Sequence, residues 1–123
     1  MKILLILEEA AMFGFSIFLF QQTSFEWWWY PALILLPDIG MLGYLVNSKT
    51  GAVTYNLFHH KAVAVAVLCA GSAYDLPWVV LSGIILFGHA SMDRVFGYGL
   101  KYSDSFFHTH LGWMKPAEMK SEK

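Results

Sequence analysis

The chain has 123 residues, 57% hydrophobic, 17% aromatic and only 14% charged, with a formal net charge of −1. Soluble domains carry roughly a quarter charged residues, so disorder, a nucleic-acid arm and a solvated charge-rich helix array are excluded, and no polyanion partner is expected. A chain this short cannot hide so much apolar surface in a core of its own, which makes bilayer lipid the expected solvent.

Four apolar segments follow one another, at about residues 3–20, 28–46, 53–73 and 78–98. Each is near the roughly 20 residues that cross a bilayer core as a helix. Met1 and Lys2 lead into the first segment as a signal peptide would. However, Glu8 and Glu9 interrupt the run and no small-x-small site precedes Gln21-Gln22, so it reads as a retained helix. Trp27, Trp28, Trp29 and Tyr30 open the second segment as an aromatic belt, and Tyr74 and Trp78 match them. Pro37 lies inside the second segment and predicts a kink near Asp38. The third segment contains Cys69 in an alanine- and valine-rich run, where a small buried filler is expected. A single cysteine excludes both an intrachain disulfide framework and a cysteine-based zinc site.

The linkers 21–24, 47–51 and 71–77 hold the Gly, Asn, Ser and Pro residues that end helices. Gly14, Gly40, Gly43, Gly83 and Gly88 are expected at close helix contacts. After the fourth segment, Phe106, Phe107, Leu111 and Trp113 suggest a short interfacial helix over about 103–114, with 115–123 as a polar tail. The fold expected is therefore an all-α integral membrane four-helix bundle spanning 1–114. With four spans, all eight Lys and Arg residues fall on one side or within a few turns of it. That side should be the cytoplasm, with both termini there and the chain in the inner membrane.

The informative feature is the depth of the polar interruptions. Ionisable groups inside a span cost at least about 2.5–3.5 kcal/mol each, so they need partners. At 1.5 Å per residue, Glu9, Asp38, His59, His60, His89 and Asp93 all fall within roughly 6–14 Å of the cytoplasmic helix ends. His89 and Asp93 share a helix face, as do Asn56 and His60. Carboxylates and imidazoles facing each other across a bundle are how such folds build metal sites, and a set without thiolates suits zinc, manganese or iron.

The ligands expected are Asp38, His59 or His60, His89 and Asp93, with Glu8 or Glu9 as an outer partner or general base. Arg94 would neutralise a phosphate-bearing headgroup, and His108 and His110 form an interfacial pair or a cap over the polar cavity. Two other readings use the same residues: a proton or metal-ion path, and a structural polar network in which Glu8 or Glu9 pairs with Lys61 or Arg94. The partners expected are the bilayer, a lipid-like substrate and further copies of the chain.

Gly88-His89-Ala90-Ser91-Met92-Asp93-Arg94, Gly97-Tyr98-Gly99-Leu100-Lys101-Tyr102 and Thr109-His110-Leu111-Gly112 resemble a family of small bacterial membrane proteins, the domain-of-unknown-function family 4260. Leu36-Pro37-Asp38-Ile39-Gly40 and Tyr55-Asn56-Leu57-Phe58-His59-His60 also look like its pattern. The resemblance covers nearly the whole chain and implies a four-helix membrane protein, with little said of activity. A fainter similarity is to membrane-bound metal-dependent hydrolases of the YdjM type, carried by Pro37-Asp38, His59-His60 and His89-x-x-x-Asp93 in that order. Here Ile39-Gly40 stand where an acid is expected, and His-His replaces Thr-His. That similarity implies a metal-dependent hydrolase acting on a membrane-associated substrate.

Overall fold

The structure is a computed structural model that describes residues 1–101 and 108–113, without the side chains of His108 and Trp113. Its elements are α1 (Lys2–Gln21), α2 (Trp29–Leu33), a 3-10 helix (Leu36–Leu45), α3 (Ser48–His59), α4 (Lys61–Ala73) and α5 (Pro77–Val95). A two-residue antiparallel pair, β1 (His108–Thr109) and β2 (Gly112–Trp113), completes them. Apart from that pair the described elements are helical.

α5 is the spine, with α1 and α4 packed along it and the 3-10 helix packed along α3. Phe20, Tyr30, Leu81, Ile84 and Ile85 form the apolar core between α1, α2 and α5. Close contact depends on missing side chains. A Cβ on Gly83 would lie 2.6 Å from the Leu68 amide of α4, and one on Gly88 would lie 2.5 Å from both Ser16 Oγ and Tyr30 Oη. Those two oxygens are themselves 2.6 Å apart in a buried hydrogen bond, which joins α1 to α2 directly over α5. Gly14 does not serve this role, since its position faces open space. Gly71 does, with Val80 of α5 against it.

The second and third apolar segments are each broken. Pro37 enters at the start of a 3-10 helix, so the expected kink is a change of helix type over ten residues. The third segment begins earlier than expected, because the Asn47 side chain accepts the Thr50 N–H at 2.7 Å and caps α3 from Ser48. It then stops at His60, whose extended backbone (φ −88°, ψ 119°) separates α3 from α4 while its Nδ1 accepts the Ala62 N–H. No Gly or Pro marks this break; the cap is an imidazole.

The fourth segment ends at Val95, three residues short of the expectation. Gly97 takes φ +89°, the Tyr98 N–H reaches Asp93 O at 2.8 Å and the Gly97 N–H reaches Arg94 O at 3.1 Å. This is a Schellman ending, which satisfies the last carbonyls and needs a glycine at the left-handed position. The interfacial helix expected over 103–114 is not what the described part forms: 108–113 is a tight hairpin, and the rest of that span lies outside the described residues.

One helix among the described residues, α1, is long and apolar enough to cross a membrane. Its Ile3, Leu4, Leu7, Phe15 and Phe18 are exposed, as are Leu36, Leu42 and Leu45 of the 3-10 helix. Cys69 is exposed as well, contrary to the buried filler expected of it.

Candidate metal centre

Three elements deliver four side chains to one point. Asp38 comes from the first turn of the 3-10 helix, His59 from the last residue of α3, and His89 and Asp93 from adjacent turns of α5. One donor atom from each lies within 4.8 Å of all the others. His89 Nε2 is 3.0 Å from Asp38 Oδ1, 3.4 Å from Asp93 Oδ2 and 3.0 Å from His59 Nε2. His59 Nε2 is 3.3 Å from Asp38 Oδ1 and 3.2 Å from Asp93 Oδ2.

The outer face of each imidazole fixes its inner face. His89 Nδ1 donates to Ile34 O at 2.5 Å, and His59 Nδ1 donates to Tyr55 O at 2.8 Å. A carbonyl only accepts, so both Nδ1 atoms carry a proton and both Nε2 atoms face inward, each as a lone pair if its ring holds no second proton. In that state two Nε2 lone pairs and two carboxylate oxygens face each other, with the Tyr55 hydroxyl donating to one of them, Asp93 Oδ2. A cation or added protons must hold these four acceptors together. An ion about 2.0 Å from each of four tetrahedral donors sets them about 3.3 Å apart; five of the six separations here are 3.0–3.4 Å, and the sixth, between the two carboxylates, is within 4.8 Å.

The helix breaks supply the supporting acceptors. Ile34 lies just past the end of α2, where its carbonyl is free to orient His89. His59 O is freed by the end of α3 and accepts from Arg94 Nη2 at 3.2 Å. Tyr55 stacks on the His59 ring at 3.8 Å with an interplanar angle of 7°, and its hydroxyl donates to Asp93 Oδ2 at 3.3 Å. Lys101 Nζ lies 4.7 Å from the centre of the Tyr55 ring. Burial pushes the Lys101 ammonium down to about 8, and the Asp93 carboxylate opposes that shift.

Exposure divides the four donors. The His59, His89 and Asp93 side chains are 3%, 1% and 13% exposed, whereas Asp38 is 38% exposed. The site is closed on three sides and open at Asp38.

The remaining sequence candidates lie elsewhere. His60 is exposed and caps α4, so of the histidine pair only His59 enters the cluster. Glu8 is exposed on α1. Glu9 is bound by the Lys61 ammonium, 2.6 Å from Oε2, which makes it a tie between α1 and α4. Arg94 reaches the His59 carbonyl, outside the four-donor point. Asn56 clamps the Lys101 backbone, donating to its carbonyl at 2.8 Å and accepting from its N–H at 2.6 Å. His110 Nδ1 accepts the Leu100 N–H at 2.8 Å and stabilises the returning chain. The His108 side chain lies outside the described residues.

Tyr55 and Lys101 are not among the candidates that sequence reasoning finds. The four-residue spacing of Tyr55 and His59 carries the first as a face-sharing pair. Lys101 has no such signal, since only the return of the chain after α5 brings it over Tyr55.

No curated protein and no solved structure matches the chain. A family model described as a domain of unknown function (DUF4260) matches residues 2–114. The chain carrying this buried Asp/His cluster thus belongs to the DUF4260 family.

Proposed function

We propose that the protein is a multi-pass inner-membrane protein that holds one divalent transition ion on Asp38, His59, His89 and Asp93. The observation that carries this reading is the inward convergence of four acceptors whose imidazoles are locked by carbonyls on their other nitrogens. The all-oxygen-and-nitrogen donor set favours zinc, manganese or iron. Broken helices at the site support the membrane reading. Irregular backbone at membrane depth is tolerated where it is buried in protein or lines a cavity, and here the freed carbonyls are used by His89 and Arg94. The outward apolar side chains of α1 and the 3-10 helix would face lipid.

The exposure of Asp38 favours a hydrolytic use of the ion. Three buried donors would hold it, and the open fourth position would exchange between Asp38 and water, as in catalytic zinc sites. A bound ion would supply a water acidified toward neutrality and a Lewis acid for a carbonyl or phosphoryl oxygen. Asp38, the most exposed of the four, would be the carboxylate at hand there to take up a proton. Elemental analysis of protein purified without a histidine tag tests the metal reading, with about one equivalent of ion expected. Less than about a tenth of an equivalent after reconstitution overturns it.

A further inference from the structure

The chain that leaves α5 is fastened from two sides. Lys101 is held by Asn56 of α3 through both its carbonyl and its N–H. Leu100 is held by His110 of the hairpin, again through both backbone groups. The His110 N–H donates to Leu100 O at 2.9 Å, and the Leu100 N–H donates to His110 Nδ1 at 2.8 Å. Lys101 also forms a β-bridge with Thr109, and both residues are buried. The hairpin is braced within itself, since Thr109 Oγ1 donates to Gly112 O at 2.8 Å. Room for the imidazole comes from Gly99, where a Cβ would lie 2.7 Å from His110 Nδ1.

Only one protonation state of the ring fits this contact. A backbone N–H can only donate, so His110 Nδ1 offers its lone pair and the neutral ring carries its proton on Nε2. A second proton would go onto Nδ1 and turn an acceptor into a donor that faces the Leu100 N–H. His59 and His89 are the opposite case, because their Nδ1 atoms donate to carbonyls and those bonds survive protonation. We propose that His110 is a proton-operated latch: neutral, it fastens the hairpin to Leu100, and protonated, it releases it. What it fastens is the stretch of chain that carries Lys101 onto Tyr55, the residue stacked on His59. None of the latch's bonds uses a cluster donor, so it stands with or without a bound ion.

Among the described residues, the charges that bear on the ring come from three helices: Arg94 of α5, Glu9 of α1 and Lys61 of α4. Burial and Arg94 hold the imidazole below its ordinary value and Lys61 adds to this, against the Leu100 backbone and Glu9. A histidine with a depressed pKa contributes its fastening above the unfolded-state value and loses it as pH falls through the folded-state value. The latch is therefore closed at neutral pH and opens in acid.

Amide hydrogen exchange at Leu100 tests the latch, read by NMR on the full chain in detergent and corrected for the intrinsic pH dependence of exchange. The His110 ring is titrated on the same sample through its carbon shifts. From about pH 7.5 down to about pH 4.5, Leu100 protection should fall about tenfold, with its midpoint at the His110 pKa. The Lys101 amide, which donates to Asn56, should keep its protection and serves as the internal reference. His110→Asn puts a carbonyl oxygen that does not titrate where Nδ1 lies, and should keep Leu100 protected across the range. His110→Ala removes the acceptor and should leave Leu100 weakly protected at every pH. A Leu100 amide that stays protected while His110 titrates overturns the latch. So does an equal acid loss in His110→Asn, which assigns the effect to another group. Loss at Lys101 alongside Leu100 overturns it as well, since that marks general loosening in acid rather than one released fastening.

Discussion

Tyr55 serves the candidate centre twice, through its ring against His59 and its hydroxyl on Asp93. Groups that orient a ligand in this way are worth about 10–100-fold in metal affinity. Tyr55→Phe should therefore weaken zinc binding by about that factor in a competition titration, while full occupancy is still reached at high zinc. The ligands themselves behave differently. His89→Ala and Asp93→Ala should each lose most of the bound metal, because a site missing one donor loses geometry as well as charge. Glu8→Gln and His60→Ala lie outside the cluster and should keep wild-type metal content. Wild-type metal in both His89→Ala and Asp93→Ala would show that these residues are not ligands. In a purely structural network the same two variants would lower the melting temperature of a protein that had no metal to lose.

At the scale of elements, α1 is tied to α4 by Glu9 and Lys61, with Met12 Sδ also 3.2 Å from the ammonium. The two charged side chains are 16% and 21% exposed, between the buried and surface limits. Lys61→Met leaves the Glu9 carboxylate without its cation and should cost about 1–3 kcal/mol. Glu9→Gln combined with Lys61→Met should recover most of that loss, since no charge is then stranded. Thermal unfolding of the wild type and these two variants in one detergent checks this, and metal content should stay constant throughout. A smaller effect is expected at the start of α3. Asn47→Ala removes the acceptor of the Thr50 N–H and should cost about 1 kcal/mol by the same measurement.

For the whole molecule, the distribution of Lys and Arg carries the prediction of orientation. Linkers 21–24 and 71–77 contain neither residue, whereas Lys2, Lys49, Lys61, Arg94 and Lys101 cluster toward the opposite end of the proposed spans. A reporter fused after Lys123 should be active as a cytoplasmic fusion and inactive as a periplasmic one. The reverse pattern would invert the topology and place the open side of the cluster toward the periplasm.

Much of the centre is legible in the amino-acid sequence alone. Asp38, His59, His89 and Asp93 stand out because an ionisable residue in an apolar run is costly, and the His89–Asp93 spacing follows from the helical repeat. Helix length and composition likewise give α1 and the helical class. Sequence does not choose between His59 and His60, because that choice depends on where α3 stops. The stop itself is made by His60 capping the next helix, a role that carries no Gly or Pro signature. Nor does depth alone separate Glu9 from the cluster: it lies at the expected level but on a helix where its partner is Lys61. Rise per residue fixes height along a bundle axis, whereas the direction in which a side chain points is set by the rotation of each helix against its neighbours. Only the packed structure specifies that rotation, through contacts such as Gly88 beneath Ser16 and Tyr30.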